Sequence, residues 1–286
     1  MYRLVALGTA VVLSFAAVAS ALNFTPTQDN RATYAGTIVF DSFTDMQNDS
    51  PVVAFSPFSS NITASSDYDG YFADAWASQN SQIGSLNIQG SGDVTAQIGF
   101  TFDQWLNDSD GIVSVDGAGA GGRPLLSQVS ASSQSLLEIL FTVDMDAQYD
   151  LSGFISAGIG LEAGTIEYGS NQSASVVLYD IDHDVTLVNE SVSDNEMDVS
   201  TSGLLGAGNY RFTVSADASV FSLNGEADSH FTDIFVGDIY VANAGYEGIN
   251  LLITGRDQPI PEPVTTSMIG LGLGALAYQA SRRRRA

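Results

Sequence analysis

The chain has 286 residues, with 33 acidic side chains against nine basic ones, two histidines and no cysteine. A formal charge of −24 repels phosphate backbones and anionic lipid, which argues against nucleic-acid binding and against peripheral attachment of the body to membranes. Without cysteine there are no disulfides, thiol nucleophiles or cysteine metal sites, so the fold must hold by burial alone.

In chain order, Arg3 precedes an apolar run from Leu4 to Val18, and Ala19-Ser20-Ala21 follows. Small residues at Ala19 and Ala21 fit a signal-peptidase site, so 1–21 is expected to be a signal peptide cleaved after Ala21. Residues 22–255 form the body. Its two clearest strands carry Val94, Ala96, Ile98, Phe100 and Phe102, and Leu137, Ile139, Phe141, Val143 and Met145, both at a period of two. Further strands are expected at 38–43, 84–88, 149–155, 174–181, 185–188, 210–216, 220–223, 234–241 and 249–254. Gly, Asn, Asp and Ser clusters separate them, and no amphipathic helix interrupts them. The economical architecture is an all-β antiparallel sandwich of jelly-roll or Greek-key type. The glycine run of 117–122 serves equally as a linker, dividing the body near 117–124, or as a long loop within one domain, and one domain is preferred.

Candidate chemistry is sparse. Asp180, Asp182 and Asp184 surround His183 at a predicted turn, where three carboxylates could share a Ca²⁺, a hard cation wanting six to eight oxygens. The spacing fails the EF-hand pattern, since Val185 stands where that loop needs glycine. Asn107, Asp108, Asp110 and Asp116 form a second partial cluster. Trp76 and Trp105, with Tyr68, Tyr71 and Phe72, could make a sugar-stacking platform beside Asp67, Asp69 and Asp74, although aromatics in a sandwich are more often core. His183 and His230 are the only histidines. With no Gly-x-Ser-x-Gly elbow, no His-Glu-x-x-His and no lysine, the body reads as non-enzymatic. The segment from Gly203 to Val214, with a Leu-x-x-Gly-x-Tyr-x-Phe-x-Val run, reads as a tight turn feeding a strand.

The C-terminus is the most specific feature. Residues 256–263 form a linker ending in Pro261-Glu262-Pro263, whose prolines favour extended backbone. The uncharged stretch 264–280 is 17 residues long and would reach roughly 25 Å as a helix, the short end of a membrane span. Arg282, Arg283, Arg284 and Arg285 lie in the terminal 281–286 segment and would stay on the cytoplasmic side, which puts the body across the membrane. Between the two ends, residues 22–260 hold four arginines against 32 carboxylates, a formal −28.

Pro-Glu-Pro, one hydrophobic helix and an arginine-rich end, in that order, resemble the PEP-CTERM sorting signal. That resemblance covers 260–286 and implies an exported protein of a Gram-negative bacterium that makes exopolysaccharide. It further implies recognition by exosortase, transient inner-membrane anchoring, and removal of the tail as the body passes to the envelope, surface or extracellular matrix. Extracellular polysaccharide is then the expected partner and no cofactor is expected, with Ca²⁺ the one candidate. Two alternatives stay open: a calcium-dependent carbohydrate-binding adhesin using Asp180, Asp182 and Asp184, and a secreted hydrolase.

Overall fold

The computed structural model describes residues 22–39, 43–68, 71–100, 129–161, 168–222 and 239–256. They form β-strands and short turns only, in two antiparallel sheets. Among the described residues no helix is long and apolar enough to cross a membrane. The signal-peptide region, the 117–124 run and everything from 257 onward lie outside them.

The first sheet, here sheet A, contains β1 (Phe24–Asp29), β2 (Ala32–Val39), β3 (Phe43–Asp49), β7 (Val129–Val143), β9 (Tyr168–Asp180), β10 (Val185–Val192) and β12 (Gly208–Ser222). Its order is β10-β9-β12-β7-β2-β3, with β1 also paired to β7. Asp29 faces Ile139 and Ala32 faces Leu136, so the end of β1 and β2 keep one register along β7 across the break at Asn30-Arg31, while β1 carries a register shift between Pro26 and Gln28. Sheet B contains β4 (Phe58–Tyr68), β5 (Tyr71–Ile83), β6 (Asn87–Phe100), β8 (Ala147–Leu161), β11 (Glu196–Leu205) and β13 (Ile239–Gly255), in the order β11-β8-β13-β6-β5-β4. The chain runs through β1–β3 in sheet A and β4–β6 in sheet B, then alternates apart from the β9–β10 hairpin, and β2 packs over β5, β7 over β6 and β12 over β13.

Period-two patterning explains why these segments pair and which way they face. On β7 every second residue from Val129 to Val143 is buried, and on β12 Tyr210, Phe212, Val214, Ala216, Ala218 and Val220 are buried in the same rhythm. The core is rich in alanine, with Ala73, Ala75 and Ala77 of β5 and Ala35 and Ala131 of sheet A all buried in it. Among the aromatic residues, Phe141 meets Phe24 at 5.0 Å and stacks on Tyr210 at 5.6 Å. Each such aromatic pair contributes about 0.5–1.5 kcal/mol beyond its buried area.

Where the core lacks bulk, hydroxyls tie the sheets together. Thr33 bonds Ser60 at 2.7 Å, Thr37 bonds Ser66 at 2.8 Å, and Ser135 bonds Tyr246 at 3.0 Å, each pair joining sheet A to sheet B. Burying these hydroxyls without partners would cost about 1–3 kcal/mol each, so the pairs also specify how the sheets align.

Several strand boundaries differ from the pattern reading. Gly84 to Leu86 is a turn, closed by Gly84 N–H donating to Asn87 O at 2.8 Å, and the strand begins only at Asn87. The expected strands at 210–216 and 220–223 are one continuous β12. The described part of 234–241 and all of 249–254 belong to one β13, which carries a bulge between Tyr246 and Ile249 with Gly248 at φ 58°. The strands β1, β4, β5 and β11 fall outside the pattern reading: in β4 and β5 serine, asparagine and alanine fill about half of the positions, while β1 and β11 are mostly polar and largely exposed.

Candidate functional site

The three aspartates expected to share a cation lie together in the turn between β9 and β10, but their carboxylates serve three different partners. Asp180, largely buried at the end of β9, accepts from the His183 backbone amide at 3.1 Å and faces His183 Nδ1 at 3.0 Å. Asp182 reaches across to the start of β12, accepting from Asn209 N at 2.8 Å and from Asn209 Nδ2 at 3.0 Å. Asp184 accepts from the Tyr179 hydroxyl and sits at φ 56°, a left-handed conformation that aspartate tolerates in turns. The Asn209 bonds hold the Asp182 carboxyl below its usual range, and the bond to Asp184 pushes the Tyr179 phenol up. Among the described residues no group of three or more His, Asp or Glu side chains is arranged to hold a metal ion. The arrangement docks one turn on another: Ile181 N–H also donates to Asn209 O at 2.9 Å.

Beside that junction, the Gly203–Val214 run does what its pattern predicts. Tyr210 Oη donates to Gly206 O at 2.9 Å, closing a corner as the chain passes from β11 in sheet B to β12 in sheet A. Burial pushes the Tyr210 phenol up to about 12.

A concavity lies elsewhere, over the outward side of sheet A and the turn after β10. It has a volume of about 620 Å³ and is lined by residues that include Tyr34, Ser132, Gln134, Asn171, Ser173 and Asp217. Strand register assembles it: Tyr34 faces Gln134, Gln134 faces Asp217, and Asp217 faces Ser173 across four strands. Ser133, Gln172 and Ala218, which alternate with these positions, also line it and are buried. Gln134 Nε2 donates to Asp217 Oδ1 at 2.7 Å, which orients the amide. Tyr34 lies along its own strand over Gly36, where an added Cβ would come within 2.2 Å of the Tyr34 hydroxyl and 2.8 Å of Cζ. Glycine at 36 therefore gives the ring room to lie against the sheet.

Sheet B has its own outward aromatic. Trp76 alternates with buried Ala75 and Ala77, so it lies outside the core, and its Nε1–H donates to Asn61 Oδ1 at 2.6 Å. Phe72 shares that face, whereas Trp105, His230 and the Asn107–Asp116 cluster lie outside the described residues, as do Ala19, Ala21, Pro261, Glu262, Pro263 and Arg282 to Arg285. The groove residues escaped the pattern reading because serine, glutamine and asparagine on strand exteriors carry no motif, and four separate strands supply them.

No family model matches the chain, and no curated protein matches it. Among solved structures it is similar to a GH31 alpha-xylosidase from Xanthomonas citri, at 9% identity and a TM-score of 0.20, over 84% of this chain and 28% of that one. A likeness of that size carries neither fold nor chemistry across.

Proposed function

We propose that this is an exported, non-enzymatic protein of the cell surface or extracellular matrix whose body contacts a polysaccharide along the outer groove of sheet A. The observation that carries the reading is the groove itself. Its size falls within the range of small-molecule and oligomer sites, about 300–1,000 Å³, and its lining is dominated by hydroxyls and amides. Such groups suit a neutral polyol, which offers many hydroxyl donors and acceptors and no charge. The Tyr34 ring supplies an apolar face for a sugar ring. The two sheets are read as a jelly-roll-like sandwich, supported by the pairing of β8 with β11 and of β9 with β10.

The delivery route rests on the sequence. A signal peptide ending at Ala21 exports the chain, and the PEP-CTERM-like tail anchors it transiently in the inner membrane of a Gram-negative cell until exosortase processes it at Pro261-Glu262-Pro263. The body at −28 then enters the exopolysaccharide matrix.

Affinity electrophoresis of the full chain through gels containing neutral polysaccharides tests the binding. Retardation is expected, and Tyr34→Ala with Gln134→Ala should reduce it by about tenfold in affinity. Equal mobility in every gel would remove the polysaccharide reading. Pro261→Ala with Pro263→Ala tests the route: the tail should persist and the protein stay in the membrane fraction, and unchanged processing would overturn the sorting claim.

A further inference from the structure

The outer face of sheet B carries a second arrangement that the groove does not use. On β5 the residues Phe72, Asp74, Trp76 and Ser78 point outward while Ala73, Ala75 and Ala77 are buried. Trp76 faces Thr63 on β4 and Thr95 on β6, and Thr95 faces Asn243 on β13, so one row across the sheet reads threonine, tryptophan, threonine, asparagine. Asp74 lies one outward position away and accepts from Ser65 Oγ at 2.6 Å.

Two features separate this face from an ordinary solvated sheet. The indole N–H is already satisfied by Asn61, which fixes the half-buried ring and leaves its exposed apolar surface as what it can offer a partner. The charge is also one-sided: the six strands of sheet B contain seven carboxylates and neither lysine nor arginine. A polyanion would meet repulsion with no cation to offset it. A neutral polyhydroxylated chain meets an aromatic face flanked by threonine hydroxyls, an asparagine amide and a carboxylate, which are the groups that accept and donate to vicinal hydroxyls. Phe72 stands four residues from Trp76 on the same side, about 13 Å along the strand, so an extended chain following β5 would touch both rings.

We propose that the Trp76 face of sheet B is a second binding surface for a neutral glycan, and that with the groove on the opposite sheet it lets one molecule hold two polysaccharide chains. The Trp76 surface stands on its own observations; the cross-linking rests also on the groove reading. Because the two faces lie on opposite sides of the core, one chain need not exclude the other.

The chain has two tryptophans, so Trp105→Phe leaves Trp76 as the sole indole emitter. Titrating that full-length variant with hydroxyethylcellulose should shift its emission to saturation, whereas alginate should not. The groove variant Tyr34→Ala with Gln134→Ala should keep this response, so a failed groove leaves the Trp76 claim testable. With Trp105 retained, Trp76→Ala added to that groove variant should weaken its binding in the polysaccharide gels by about tenfold, and Trp76→Phe should restore part of it. This gel measurement decides the matter should Trp105→Phe not fold by circular dichroism. The wild type should raise the viscosity of a hydroxyethylcellulose solution, and neither single-face variant should. An emission indifferent to the neutral polymer, an equal response to alginate, or a shift on raising protein concentration alone would each overturn the proposal. The last would instead indicate a second copy on this face. Undiminished viscosity with Trp76→Ala would overturn the cross-linking.

Discussion

Arg31 Nη2 and Asp29 Oδ2 lie 2.6 Å apart with side chains 0% and 2% exposed, a closed ion pair at the break between β1 and β2. The pair does more than neutralise itself. Arg31 also donates to Ser81 Oγ at 3.1 Å in sheet B and to Ser56 O at 2.7 Å, while Asp29 Oδ2 accepts from Phe55 N at 2.7 Å. Phe55 is held at φ 62°, so the fold keeps a strained non-glycine residue where its amide can reach the carboxylate. The unit thus bolts the edge of sheet A to sheet B and to the turn before β4.

Removing one member strands the other. Asp29→Ala should destabilise the fold by about 3–5 kcal/mol in denaturant melts, while replacing both residues by apolar ones of similar volume should cost much less. Burial pushes the Asp29 carboxyl up, but the Arg31 side-chain bond, the Phe55 amide and the guanidinium charge overcome it, and the net shift is below the ordinary 3.8. The folded state therefore binds this proton less readily than the unfolded chain. Its stabilisation is present above that ordinary value and lost as pH falls toward the lowered one. Acid titration of wild type and Asp29→Asn should converge below pH 3.8; parallel curves would contradict this account.

Tyr210→Phe keeps the stack on Phe141 and deletes the bond to Gly206. Its cost should be about 0.5–1.5 kcal/mol, against about 3–5 kcal/mol for Tyr210→Ala. The phenol sits at about 12 against an ordinary 10.0, so the folded state retains this proton while the unfolded chain loses it. Stability should fall as pH rises between those values, and the Phe variant should show a shallower alkaline loss by chemical denaturation.

The Asp180–Asp184 turn offers a direct reading of what its carboxylates do. As bonded here, Asp182 fastens Asn209, so Asp182→Ala should lower Tm by loosening the β9–β10 turn from the start of β12. The loss should be the same in calcium and in chelator. A Tm that rises with calcium in the wild type and not in the variant would show that the three carboxylates regroup around the ion.

Asp93 behaves oppositely to Asp29. Burial, with Glu247 nearby, raises its carboxyl above the ordinary 3.8, so stability is lost as pH rises from that value to the raised one and stays lost above it. Asp93→Asn should raise Tm at neutral pH, and the advantage should vanish as pH falls below 3.8, where the wild-type group becomes protonated in both states. An unchanged Tm at pH 7 would show that Asp93 carries no such penalty.

Legibility differed sharply between the strands and the site. β7 and β12 were readable because Leu137, Ile139, Phe141, Tyr210 and Phe212 alternate strongly, and periodicity reports burial directly. β4 and β5 were obscured because most of their inward positions, Ser60, Ala64, Ser66, Ala73, Ala75, Ala77 and Ser81, are alanine or serine, which also suit loops and exteriors. Tyr210 was readable as a turn-to-strand residue, yet its hydroxyl's partner four residues back required the corner to be closed. The aspartate cluster shows the converse: sequence proximity brought three carboxylates together, and side-chain direction then sent them to His183, Asn209 and Tyr179.

By itself the amino-acid order determined the all-β character, the acidity and the expectation of export. Composition and local period act within a few residues, where physics needs no knowledge of the fold. Tertiary structure alone decided that Tyr34, Gln134, Asp217 and Ser173 share one row and that Trp76 faces outward. Those relations depend on which strands become neighbours and in what register, and a one-residue slip would have turned every one of these side chains to the other face.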